Sequence, residues 1–201
     1  MTIETPWPAE RPAVPPLMHG WFVKENAEML SRYLSPAARC IIEVGSWYGA
    51  SAHWFCEYAP AAHVYCIDPW KPYPEILSNP EWAALQPGAY AHFIDNLWEF
   101  RDRVHIVRWR TPQGLWACDH YLGLKPDLIY VDGDHTTAAV QADVNMSLRS
   151  FPGAAVVGDD WGRESVKVGV YEAIGYEPAP VNLENNGVCW AIGVANRGAE
   201  I

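Results

Sequence analysis

With 201 residues, half of them apolar, and a formal charge of −10, the chain suits one domain that buries its own core without disulfide staples. The acidic balance argues against a nucleic-acid partner, because phosphates are bound chiefly by cations. No apolar run reaches the roughly 18 residues of a membrane span, so no membrane partner is expected and a small molecule is the default ligand.

Five cysteines (Cys40, Cys56, Cys66, Cys118 and Cys189) form no CxxC pair and are odd in number. They read as reduced core residues of a cytoplasmic protein. Residues 1–17 carry many prolines together with Glu4, Glu10 and Arg11, which predicts an extended arm and no signal peptide. Residues 18–201 are expected to form the domain.

Along that domain, Trp21 to Leu34 has helical spacing, with Phe22, Ala27, Leu30 and Leu34 on one face. Short apolar runs at 40–44, 64–68, 104–108, 127–132 and 154–158 read as strands. Between them lie helical candidates at 49–58, 89–101, about 113–122 and 136–149. Strands apolar throughout and alternating with helices predict a doubly wound, Rossmann-like α/β fold with a mostly parallel sheet. Residues 71–88 hold Pro72, Pro74, Pro80, Pro87 and Trp82 and are too long for an ordinary connection, so they are expected to be an insertion near the ligand. A last helix at 165–174 precedes strands at 179–183 and 188–194, joined across Glu184-Asn185-Asn186-Gly187. The Asn-Gly pair favours a hairpin, which makes seven strands with an antiparallel end.

The stretch from Ile41 to Ser51 is an apolar run ending near an acid, then a turn containing Gly45 and Gly49, then a helix. Such a unit brings backbone close to a ligand and aims free helix N–H groups at it. Asp68 ends the next strand, where a carboxylate is costly unless something pairs with it. A tight strand-to-helix turn alone would also explain two glycines. In dinucleotide enzymes the fingerprint is G-x-G-x-x-G; here Ser46-Trp47-Tyr48 fill the turn, which suits S-adenosylmethionine better than NAD.

Two further strands end in acids: Asp132-Gly133-Asp134-His135 and Gly158-Asp159-Asp160-Trp161. Adjacent strands would bring Asp132, Asp159 and Asp160 to one crevice, where a hard divalent cation such as Mg²⁺ relieves their repulsion. Taken singly, Asp159 also suits a helix cap, Asp134 a turn, and His135 a helix start. Beside a metal, His135 suits a general base.

The segments Glu43–Ser51, Cys66-Ile-Asp68-Pro-Trp70, Val131-Asp-Gly-Asp-His135 and Gly158-Asp-Asp-Trp161 resemble class I methyltransferases. The similarity is strongest to metal-dependent O-methyltransferases of the catechol, caffeoyl-coenzyme A and macrolide-sugar types, and it spans roughly residues 20 to 195. The resemblance implies that Glu43, Gly45, Tyr48 and Ser51 meet the methionine part of the cofactor, with Ser46, Gly49 and Asp132 beside them. It places Asp68 on the ribose, and Thr111 with Trp70 or Trp109 at the adenine. Asp132, Asp159 and Asp160 match the metal ligands. His135 stands where catechol and caffeoyl enzymes have a lysine base and macrolide-sugar enzymes a histidine. The implied reaction is Mg²⁺-assisted methyl transfer to a hydroxyl of a catechol-like, sugar or natural-product acceptor. The family's habit of dimerising adds a homodimer as an expectation that no residue here fixes. A cofactor-binding module without catalysis, or a metal enzyme of other chemistry on the same fold, are the rival readings.

Overall fold

A computed structural model describes residues 3–175 and 183–193. The chain runs α1 (Lys24–Tyr33), β1 (Cys40–Val44), α2 (Ala50–Tyr58), β2 (His63–Ile67), α3 (Pro74–Ser78), α4 (Pro80–Leu85), α5 (Ala89–Asn96), β3 (Val104–Val107), α6 (Gln113–His120), β4 (Leu128–Val131), α7 (Thr137–Ser150), β5 (Ala155–Gly158), α8 (Glu164–Ile174), β6 (Leu183–Asn185) and β7 (Trp190–Ile192). The strands form one sheet in the order β3-β2-β1-β4-β5-β7-β6. The first five are parallel; β7 pairs antiparallel with both β5 and β6.

Strand side chains alternate between the two faces, and both faces are covered, which is why the runs are apolar throughout. On one face Met29, Leu30, Phe55 and Phe93 pack from α1, α2 and α5. On the other, Leu115, Val140, Val144 and Val170 pack from α6, α7 and α8. The five cysteines are free thiols, four of them buried and Cys40 half-buried. At the β5–β7 seam Gly158 is obligatory, because a Cβ there would lie 2.2 Å from the Trp190 ring.

The arm is fastened along the free side of β3. Ile3 is buried, Thr5 N donates to Ile106 O at 2.7 Å, and Trp7 Nε1 donates to Val104 O at 2.8 Å. Arg11 Nε then pairs with Asp95 Oδ1 at 2.6 Å, and Asn96 Nδ2 donates to Leu17 O at 3.1 Å. Trp7 also stacks on Phe93 and meets Trp98 edge-on, with centroids 6.5 and 6.0 Å away. Trp7→Ala is expected to lower the unfolding free energy by about 1–3 kcal/mol, read from urea denaturation, because the anchor packs on the core.

Several expected boundaries shift. The first helix begins at Lys24, not Trp21: Asn26 Oδ1 accepts from Val23 N at 2.9 Å and fixes the start there. That leaves Trp21 and Phe22 in the arm. The helix expected over 89–101 stops at Asn96 and resumes as a 3₁₀ turn at Trp98–Phe100, since Asn96 Nδ2 is held by Tyr48 O and Leu17 O. The insertion is structured, with Pro74 and Pro80 opening α3 and α4 and Asn79 Oδ1 capping the second. The hairpin turn lies later than expected, at Asn186–Cys189, because Asn186 Oδ1 accepts from Val188 N and Cys189 N while Gly187 has φ of 91°. Residues 179–182 and Val194 of the two expected strands lie outside the described residues.

Candidate active site

The order of the sheet reverses between β1 and β4, and ligands of open α/β sheets bind at the carboxyl ends on either side of that switch. A cavity of about 270 Å³ opens there. Gly45, Ser46, Ser51, Asp68, Trp70, Thr111, Asp132, His135, Asp159 and Asp160 all line it, as expected from the sequence. Glu43, Tyr48 and Gly49 do not reach it among the described lining residues.

Glu43 is fully buried behind the turn and accepts hydrogen bonds from the hydroxyls of Ser46 and Ser51. Burial pushes its carboxyl up to about 7, against the opposing pull of those hydroxyls. It therefore holds the two serines that do line the cavity. Tyr48 turns inward, its hydroxyl donating to Leu85 O at 2.9 Å and its ring stacked on His92 at 4.9 Å. Gly49 caps α2 with φ of 87°, and Gly45 has φ of 85°.

Asp68 receives Trp47 N on one oxygen at 3.0 Å and Trp70 N on the other at 2.6 Å. Its carboxyl is raised by burial, with those N–H groups pulling the other way. Trp70 Nε1 donates to Trp47 O at 2.8 Å, so the loops after β1 and β2 clasp each other. Trp47, Trp70 and Asp160 are the non-glycine residues with left-handed backbone among those described, at φ 47°, 46° and 58°. All three follow strands at this edge, where such strain persists only if its surroundings hold it. Thr111 donates to Asp143 Oδ2 at 2.8 Å; Asp143 is buried and burial pushes it up to about 7.

The acids divide in a way the sequence does not show. Asp132 Oδ1 and Asp160 Oδ2 lie 3.5 and 2.9 Å from His135 Nε2. Ligand atoms of Asp132, His135 and Asp160 all fall within 4.8 Å of one another. Asp159 instead turns towards the interior: its Oδ1 accepts from Asp160 N at 2.7 Å and lies 3.6 Å from Cys189 Sγ. Burial pushes Asp132 up to about 7, offset in part by its hydrogen bond to His135. Burial would lower His135, but hydrogen bonds and charge from Asp132 and Asp160 win and hold it near 10. Burial opposes the charge on Asp160, yet His135 and Arg163 keep its carboxyl below the usual range.

Four contributors were not found from the sequence. Glu75, from the insertion, accepts from His135 Nδ1 at 3.0 Å and from Arg163, whose Nε pairs with Asp160 Oδ1 at 3.1 Å. His19 and Trp21, from the arm, line the cavity; Trp47 Nε1 donates to His19 Nδ1 at 3.0 Å, and Trp21 meets Trp82 edge-on at 4.9 Å. A proline-rich insertion with an acid just inside its first helix was the available signal for Glu75.

A sheet of this order, with a glycine turn after β1 and an acid after β2 opening on one cleft, is the architecture of the S-adenosylmethionine-dependent methyltransferases. The chain belongs to the methyltransferase domain family, whose profile matches residues 42–161, more than half of its length. It is similar in fold to precorrin-8w decarboxylase of Methanobacterium thermoautotrophicum, at 17% identity and TM-score 0.57, covering 88% of this chain and 93% of that one. It is similar also to an O-methyltransferase from Bacillus cereus solved with SAH, at 19% identity and TM-score 0.52, over 78% and 74% of the two chains. A TDP-rhamnose 3′-O-methyltransferase of calicheamicin biosynthesis superposes at 15% identity and TM-score 0.53, over 82% and 76%. No curated protein sequence matches significantly.

Proposed function

We propose that the protein transfers the sulfonium methyl of S-adenosylmethionine to a hydroxyl oxygen of a small molecule, assisted by a divalent cation. The observation that carries this reading is the meeting, in one cavity, of the Gly45–Ser51 turn with Asp132, His135 and Asp160. Two relatives of this fold bear O-methyltransferase names, one of them acting on a nucleotide-linked sugar, which supports oxygen as the acceptor atom.

The residues fit a cation. The carboxylates of Asp132 and Asp160, with His135 Nε2 3.5 and 2.9 Å from them, make a mixed nitrogen and oxygen donor set. Asp132 and Asp160 would hold the ion, which lowers the pKa of a bound hydroxyl and favours its anion. Ser46 and Ser51, set by Glu43, bind the methionine end; Asp68 takes the ribose hydroxyls. Trp70 and Thr111 border the adenine, and Trp21 with Trp82 walls the acceptor. In the balanced reaction the acceptor hydroxyl gives its proton to His135, its oxygen takes the methyl, and the cofactor leaves as SAH. A small acceptor fits a chain of charge −10 better than a polyanion does. Among the described residues no helix is long and apolar enough to cross a membrane.

Calorimetry with S-adenosylmethionine, followed by methyl-transfer assays on catechols and glycosides with and without EDTA, tests the reading. Cofactor binding is expected to survive EDTA while transfer falls steeply. Binding with no transfer to any hydroxyl in the presence of Mg²⁺ or Mn²⁺ would instead mark a cofactor-binding module. Transfer that ignores EDTA would remove the cation.

A further inference from the structure

Thr111 meets the cavity with a hydroxyl whose proton is already committed. Its Oγ1 donates at 2.8 Å to Oδ2 of Asp143, a buried side chain of α7 that does not itself line the cavity. A hydroxyl carries one proton and two acceptor lone pairs, so with the proton given inward Thr111 can only accept on the ligand's side. The 6-amino group of adenine is a donor, whereas the 6-oxygen of hypoxanthine or guanine is an acceptor. We propose that Thr111 reads the exocyclic amine of the cofactor's adenine as an acceptor alone, and that Asp143, by holding the Thr111 proton, is the positioning residue that sets the choice of nucleobase. This rests on reading the cleft as an S-adenosylmethionine site and adds to it a residue from behind the cavity wall.

The surroundings of Asp143 leave it little else to do. It is 1% exposed and lies one turn of α7 beyond Ala139, which lines the cavity. Its second oxygen, Oδ1, makes no hydrogen bond among the described residues, and neither does the Ser147 hydroxyl a further turn along. The Thr111 hydroxyl is therefore the one hydrogen-bond partner of this carboxyl among the described residues. A buried acid held by a single hydroxyl loses more in desolvation than that bond returns, so stability does not account for an acid at this position. Burial pushes its carboxyl up to about 7, with the Thr111 hydroxyl pulling the other way and the charge of Asp134 adding to the rise. Above that pH it is a carboxylate, which accepts and never donates.

The wall that carries Thr111 is tied on both sides of it. Trp109 N donates to Val107 O at 2.9 Å, Gly114 N to Arg110 O at 2.8 Å and Trp116 N to Pro112 O at 3.0 Å. Gly114 also lets α6 close on β2, since a Cβ there would lie 2.5 Å from Ile67 Cγ2. On such a backbone, with its proton directed by a buried partner, the Thr111 hydroxyl is preorganised. An oxygen at position 6 of the purine would face its lone pairs and receive no proton, the situation in which a hydrogen-bonding site rejects an analogue most strongly.

Calorimetry of the full chain at pH 8.5 with SAH and with S-inosyl-L-homocysteine, in which an oxygen replaces the 6-amino group, tests the proposal. SAH is expected to bind about 10–100-fold more tightly. Thr111→Ser, which keeps the hydroxyl, should keep that ratio. Thr111→Val removes the hydroxyl and Asp143→Val frees its proton to turn towards the ligand, so each should bring the ratio below about 3-fold; thermal melts establish that each variant is folded. A purely structural role for Asp143 would weaken both ligands alike and leave the ratio where it was. That result in Asp143→Val, an unchanged ratio in Thr111→Val, or equal binding of the two ligands by the unmutated chain would overturn the proposal while leaving the cofactor reading standing. Failure of the unmutated chain to bind SAH would overturn the two together.

Discussion

Replacing Gly45 by alanine is expected to abolish SAH binding and to cost about 2–6 kcal/mol of stability, the sum of overpacking and left-handed strain. The added Cβ would sit 1.9 Å from Asp132 O and 2.8 Å from Gly133 Cα, and both are backbone atoms that no rotamer change can move. The residue cannot swing aside either. Gly45 N is tied to Ile67 O at 2.9 Å and Asp132 N to Val44 O at 2.8 Å, so the two loops are locked at the point of contact. Since φ at Gly45 is 85°, an alanine would be strained even with room to spare. Gly153→Ala, with nothing within 4 Å of its Cβ, serves as the control and should change little. Urea denaturation and SAH calorimetry read the two effects; a variant as stable as the parent and equally tight for SAH would refute the close-approach account.

The protein stripped of metal is expected to melt at a higher temperature at pH 5.5 than at pH 8.5. Glu43, Asp132 and Asp143 are each raised to about 7 from ordinary carboxyl values, and His135 to about 10. For all four the folded state holds protons that the unfolded chain has released, so stability falls as pH rises through the window between the two values. The carboxyls act from about pH 4 to 7 and the imidazole from about 6.5 to 10, with the same sign. Asp160 is shifted the other way and matters only in stronger acid. The carboxyls should each contribute on the order of 1–3 kcal/mol. In a chain of this size each kcal/mol moves Tm by about 2–4 °C. Asp143→Asn keeps an acceptor for the Thr111 hydroxyl and should flatten the profile. A Tm that rises between pH 5.5 and 8.5 in EDTA would contradict this.

The strands and the cleft were legible because each of β1, β2, β4 and β5 ends an apolar run with an acid or glycine at a fixed edge. Periodicity and turn chemistry are local, and they place Asp68, Asp132 and Asp160 without any knowledge of packing. What escaped depends on contacts far apart in the chain. Glu75 reaches His135 and Arg163, 60 and 88 residues away, and no local pattern announces such a pairing. Trp21 and Phe22 fit a helical period, yet the aromatic contacts of Trp21 with Trp82 and His19 keep that part of the arm extended beside the cavity. Asp159 and Asp160 are adjacent and chemically identical, so sequence could not say which of them pairs with His135. The left-handed turn at Asp160 decides it, leaving Asp159 Oδ1 on Asp160 N and turning Asp160 Oδ2 towards His135.

The fastening of the arm also bears on how the protein behaves in a crowded solution. β3 ends the sheet on one side, and an uncovered outer strand is a template on which foreign chains add. Thr5 and Trp7 occupy backbone acceptors of that strand, Ile106 O and Val104 O, so residues 5–7 already cover part of that rim. At the opposite rim, among the described residues, β6 exposes Glu184 and Asn185, polar side chains that discourage the same addition. The segment that leads to His19 and Trp21 at the cavity therefore also covers backbone acceptors at the edge of the sheet.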